Sequence, residues 1–137
     1  MRICTRSLLI LAALFAGGCN LLPGSSTSPS DSTTTTTFSG SLSPGGTPAF
    51  FTFTAGSGPV AVTLSSVNPS TTSGIGLGVG TPNGTTACTL TNFTTSAVAS
   101  STPQISVDES AGSYCVQVYD PGNLPGSLTF TLSVSHS

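Results

Sequence analysis

The stretch that decides the fold is Ala111–Ser135, AGSYCVQVYDPGNLPGSLTFTLSVS. Two segments alternate apolar and polar residues, and a cluster rich in proline, glycine and asparagine separates them. In the second segment Leu128, Phe130, Leu132 and Val134 share one side, while Thr129, Thr131, Ser133 and Ser135 share the other. A period of two residues places one side of an extended strand on a core and the other in water. In the first segment Tyr114, Val116 and Val118 are assigned to the core, which puts Cys115, Gln117 and Tyr119 on the opposite side. A bulge near Gly112 would reverse that assignment.

The same period runs upstream. Ala49, Phe51 and Phe53 share a side in AFFTFTAG, and Val60, Val62 and Leu64 do so in VAVTLSS. Turn clusters stand between such segments: SPGG from Ser43, GSGP from Gly56, NPSTTSG from Asn68, TPNG from Thr81 and DPGNLPG from Asp120. No segment carries a helical period of useful length. Short strands with turn signals about every 10 residues predict an all-β fold, a single antiparallel β-sandwich or jelly-roll-like domain. Phe38–Ser137, about 100 residues, suffices for one modest core. In GIGLGVG, Ile75, Leu77 and Val79 face one way and Gly76, Gly78 and Gly80 leave the other side bare. Tight sheet packing is the preferred reading of that bare side over a binding platform. The spacing is no nucleotide motif, because no helix follows to present its amino terminus to a phosphate.

The amino-terminal part reads differently. Arg2 and Arg6 precede an apolar run, Leu8–Phe15, and small residues follow at Ala16, Gly17 and Gly18 before Cys19. Positive residues, a short apolar core and a small-residue site form an export signal. The run is about half the length that a membrane-spanning helix requires. LFAGGC resembles the bacterial lipoprotein signal. That resemblance implies cleavage before Cys19, a diacylglyceryl group on its thiol, and an anchor in a lipid bilayer. By the same analogy, Asn20 rather than Asp after the cysteine permits sorting to an outer membrane where the host has one.

Cysteine counting bears on this independently. With residues 1–18 removed, Cys4 goes and Cys19, Cys88 and Cys115 remain. An odd number in an oxidising compartment is awkward unless one thiol is otherwise occupied. Lipidation of Cys19 leaves Cys88 and Cys115 to form a disulfide, whose loop of about 27 residues contributes on the order of 3 kcal/mol. The alternative is two separate buried thiols. Residues 19–37 are assigned to a tether, because 11 of the 18 residues from Asn20 to Thr37 are Ser or Thr. Such a tract offers little to bury and is expected to stay disordered, with a root-mean-square span of about 25 Å. DST at Asp31 resembles a glycosylation acceptor triplet, although a bare spacer is the simpler reading. The expected organisation is thus 1–18 signal peptide, 19–37 tether and 38–137 β domain.

Composition narrows function by exclusion. Only 4% of residues are charged, there is no tryptophan, and nothing after Arg6 is Lys or Arg. Neutralising phosphates requires those cations, so no nucleic acid and no nucleotide partner is expected. A hydrolase needs a nucleophile, a base and an orienting partner. The single histidine, His136, stands next to the last residue given, where strands tend to fray. Asp108 and Glu109 are read as a solvated turn; on a strand they would face opposite sides. Asp120 is read as accepting a local backbone hydrogen bond in its turn. No catalytic residue, no metal ligand and no cofactor is assigned, and the chain is expected not to be an enzyme.

The segments FSGSLSPGGTPAFFTFTAGSGPVAVTLSS, GLGVGTPNGT and AGSYCVQVYDPGNLPGSLTFTLSVS together resemble the bacterial pre-peptidase C-terminal domain. That resemblance implies a small jelly-roll-like module with a role in binding, secretion or stability rather than catalysis. Some members carry acidic residues before the middle strand that suit calcium; here the place reads TTSGIG, so no calcium site carries over. The expected function is therefore a membrane-anchored surface or periplasmic lipoprotein bearing a non-catalytic binding or envelope-interaction module, with an envelope protein or glycan as partner. The alternatives are a structural spacer or coat component, and an exported carbohydrate-binding module whose only stacking candidates are Tyr114, Tyr119 and the phenylalanines.

Overall fold

The structure, a computed structural model, describes residues 32–137. The signal peptide, Cys19 and most of the tether lie outside the described residues. Eight strands follow in order: β1 Thr34–Leu42, β2 Ala49–Ala55, β3 Gly58–Asn68, β4 Ile75–Asn83, β5 Ala87–Ala97, β6 Ile105–Glu109, β7 Gly112–Tyr119 and β8 Leu128–His136. They form two antiparallel four-stranded sheets, with orders β1-β8-β3-β6 and β2-β7-β4-β5. The first strand thus pairs with the eighth, the second with the seventh, the third with the sixth and the fourth with the fifth. A long hairpin rolled up on itself has this pairing, and it is the jelly-roll arrangement of a β-sandwich. The predicted fold class is the observed one.

The alternating residues behave as their period predicts. Val60, Val62, Leu64, Leu132 and Val134 from the first sheet meet Leu77, Val79, Val116 and Val118 from the second, all with no accessible surface. Each such side chain stabilises the fold by about 2 kcal/mol relative to an exposed position. The five turn clusters all fall between or at the ends of strands, and Gly45, Gly84 and Gly122 adopt positive φ there.

Two expectations about boundaries are corrected. The tether does not extend to Thr37, because Thr34–Thr37 already belong to β1 and pair with His136–Ser133. Although these threonines bury little, β-branched residues suit strands, and β8 supplies backbone partners that offset the entropy of ordering them. His136 does not lie in a frayed end either. It closes β8, only 7% exposed, with its ring 5.3 Å from that of Phe53.

The chain also satisfies β3 where β6 stops short. Beyond Val62, Gln104 Oε1 accepts from the Leu64 N–H at 2.7 Å, while the Ser100 N–H donates to the Leu64 carbonyl at 2.9 Å. The β5–β6 connection thereby acts as a strand surrogate beside a bulge at Ser65.

Candidate functional site

The predicted cysteine pair is joined. Cys88 and Cys115 form a disulfide with a Cα–Cα separation of 5.9 Å. Cys115 lies on β7 and Cys88 on β5, with β4 between them in the sheet. Strands two places apart in a flat sheet are separated by about 10 Å, so β5 must curl over β4 at this end. Gly80 makes the crossing possible. A Cβ there would overlap the Thr89 carbonyl oxygen and come within 2.7 Å of the Thr89 carbonyl carbon and 2.8 Å of Leu90 Cα. Cys115 is on the outer side, as its parity predicts, yet it is fully buried beneath the curled strand.

The other two glycines of β4 are covered as well. A Cβ on Gly78 would meet Leu90 Cδ1 at 2.6 Å, and one on Gly76 would meet the Tyr119 ring. The bare side is therefore tightly packed, as preferred from sequence. All of Ile75–Gly80 is buried.

The polar candidates fall into separate places. Asp120 organises two turns: Oδ1 accepts from the N–H groups of Gly122, Asn123 and Leu124 at 2.8, 3.0 and 3.2 Å. Oδ2 accepts from the Gly45 N–H at 2.9 Å, tying the β7–β8 turn to the β1–β2 turn. The Gly45 N–H first, then those of Gly122, Leu124 and Asn123, hold this carboxyl below its ordinary value of 3.8, against an opposing effect of desolvation. The local bond was legible in the sequence; the bond to Gly45, 75 residues away, was not.

Asp108 and Glu109 are corrected from a turn to the end of β6, where they guard an edge strand with charge. Glu109 lies near Tyr114, which the sequence assigned to the core and also offered as a stacking candidate. The Tyr114 hydroxyl donates to the Ser110 carbonyl at 2.7 Å, four residues upstream, in the manner of a tyrosine corner. Burial, and then the Glu109 carboxylate, hold that hydroxyl above its ordinary value of 10.0.

His136 Nδ1 lies 3.1 Å from the Ser137 carbonyl, and Nε2 lies 3.5 Å from Thr36 Oγ1. A carbonyl only accepts, so Nδ1 carries the proton in this arrangement. The Thr36 hydroxyl stands at the limit of hydrogen-bond reach from Nε2, and neither contact brings an Asp or Glu side chain to the ring. Among the described residues no three His, Cys, Asp or Glu side chains gather to hold a metal ion. An open groove of about 260 Å³ lies between Pro69–Thr71 and Pro125–Leu128; prolines, hydroxyl side chains, Gly126 and Leu128 line it, and none of these side chains titrates near neutral pH.

The outer sides of the two sheets differ in chemistry. On the first sheet Thr35, Thr37, Ser39 and Ser41 of β1 lie beside Ser135, Ser133, Thr131 and Thr129 of β8, a field of hydroxyls. On the second sheet one cross-strand row reads Phe50, Gln117, Gly78, Phe93, with Tyr119 opposite Gly76 in the next. Phe93 is 63% exposed. Aromatic rings on the outside of the sandwich are thus concentrated on one sheet.

No family model matches the chain, and no curated protein matches it.

Proposed function

We propose that this protein is a lipid-anchored envelope lipoprotein whose jelly roll is a non-catalytic binding module. The observation that carries this reading is the Cys88–Cys115 bridge. It accounts for both cysteines of the domain and suits an oxidising compartment outside the cytoplasm. Cys19 is then the one cysteine left after cleavage at residue 18, at the position where the LFAGGC signal calls for acylation. A single chain would hold the protein only reversibly, whereas a diacylglyceryl group provides the two chains a stable anchor needs. The anchor faces the outside of the cytoplasmic membrane, or reaches the outer membrane in a diderm host, where Asn20 permits transfer. The domain's strand pattern and jelly-roll order support kinship with pre-peptidase C-terminal domains, whose members serve binding, secretion or stability rather than catalysis.

The test is membrane fractionation of the host expressing wild type and Cys19→Ser. The wild type is expected to sediment with membranes and resist salt extraction, and the variant to appear in the soluble extracytoplasmic fraction. Equal partitioning would overturn the anchor, and turnover of any glycan or peptide by the purified protein would overturn the non-catalytic role.

A further inference from the structure

The geometry around Tyr119 goes a step further, and this step rests on the binding-module reading above. A Cβ built on Gly76 would lie nearest Tyr119 Cε2 and 2.5 Å from both Cδ2 and Cζ. Near-equal distances to three consecutive ring atoms require that the point lie over the face of the ring. An approach in the ring plane would leave the two flanking atoms almost an ångström farther away than the central one, given bond lengths of about 1.4 Å and trigonal angles. The ring therefore leans over Gly76 with one face against it, and the residue keeps part of its surface exposed. Tyr119 is half-buried, as such a placement dictates.

We infer that the outer side of the second sheet binds an uncharged polysaccharide, with the exposed surface of Tyr119 as its principal stacking surface and Phe50, Phe93 and Gln117 around it. Three features select that ligand class. Sugar rings present an apolar C–H face to aromatic rings and hydroxyls around their rim, so they need rings interspersed with hydrogen-bonding groups. The row Phe50, Gln117, Phe93 sets rings beside an amide, with Leu90 lying over Gly78 between the last two, and Thr52 and Tyr119 add hydroxyls. Phe50 and Phe93 stand on the first and last strands of the sheet order β2-β7-β4-β5, so the surface suits an extended chain rather than a single sugar. The rows named carry no charge, and no Lys or Arg follows Arg6, so an acidic glycan or a nucleic acid would find no counter-charge. A second copy of this chain fits less well. Gln117 and the hydroxyls of Thr52 and Tyr119 interrupt the apolar side chains of Phe50, Leu90 and Phe93, whereas a stable dimer interface has a more continuous apolar centre. Gly76 also has a role here, because pinning the ring before binding reduces the entropy lost on stacking.

The experiment uses the detergent-solubilised full chain in depletion assays against insoluble cellulose, chitin and β-1,3-glucan, with affinity electrophoresis in soluble starch. Retention by at least one of these is expected. Tyr119→Ala should weaken it by about tenfold, the size of one lost ring stack with its buried area, while Tyr119→Phe stays near wild type. Gly76→Ala keeps the ring but tilts it off the sheet, and should weaken retention while leaving Thr37→Ala, on the opposite sheet, without effect. Tyr119→Ala removes a half-buried side chain, so circular dichroism of the variant serves as the check that the fold persists. Failure of all four polysaccharides to retain the wild type would overturn the inference, as would retention indifferent to Tyr119→Ala. Self-association of the wild type that Tyr119→Ala abolishes, read by light scattering, would assign the face to a second copy instead. Retention that survives Tyr119→Ala, on these polysaccharides or on the host's own envelope polymer, would refute this face while sparing the binding-module reading.

Discussion

Replacing Gly80 by alanine tests the least obvious part of this architecture, the passage of β5 over β4. The added methyl would overlap the Thr89 carbonyl oxygen and stand 2.8 Å from Leu90 Cα, where ordinary contacts begin at 3.4 Å. Both neighbours are backbone, so no side chain can swing aside. The β5 segment must shift outward by at least half an ångström, while the bond from Cys88 to Cys115 holds it in place. Overpacking of this kind costs about 3 kcal/mol, which for a domain of this size lowers the melting temperature by about 12 °C. Thermal unfolding of the oxidised protein, followed by circular dichroism, reads that shift. Gly126→Ala is the matched control, because a Cβ there has nothing within 4 Å. A Gly80→Ala variant that stays oxidised and melts within about 2 °C of wild type would refute the crossing, since that corresponds to less than about 0.5 kcal/mol.

Three further outcomes follow from the same geometry. Replacing Cys88 and Cys115 together by alanine releases a loop of 27 residues and should cost about 3 kcal/mol, seen as a lower denaturant midpoint that matches the reduced wild type. Asp120→Asn should lower the melting temperature at neutral pH. Because the native carboxyl sits below its ordinary value of 3.8, the wild type's advantage is full above that pH and disappears as pH falls through the lowered native value; a difference constant down to pH 2 would contradict this. Tyr114→Phe removes the bond to the Ser110 carbonyl and should lower the melting temperature by a few degrees at neutral pH, with a far-UV spectrum unchanged; no shift would mean that the corner contributes nothing.

Where the period of two is unbroken, the fold could be read directly. β8 shows its core residues as far as Val134 and β3 as far as Leu64, where the bulge at Ser65 breaks the period, and β7 shows why its cysteine lies outside the core. β5 could not be read in this way. Its register shifts twice against β4, so Cys88 and Leu90 have even numbers while Phe93, on the same outer side, has an odd one. Two bulges erase the alternation that a strand otherwise prints on its sequence. β1 was only half visible, because Thr34–Thr37 carry no apolar signal and owe their order to β8. Of the outer aromatic surface, the sequence offered the parity of Tyr119 and the bareness of Gly76, and each was noted separately. Their meeting depends on the pairing of β4 with β7, a contact between strands far apart in the chain. The bond from Gly45 to Asp120 was hidden for the same reason.

The most direct test of the account is the intact mass of the protein extracted from host membranes, before and after reduction and alkylation. The account predicts a chain that begins at Cys19, carries added acyl mass, and exposes two alkylatable thiols only after reduction. An unmodified chain, or one with three free thiols, would contradict it.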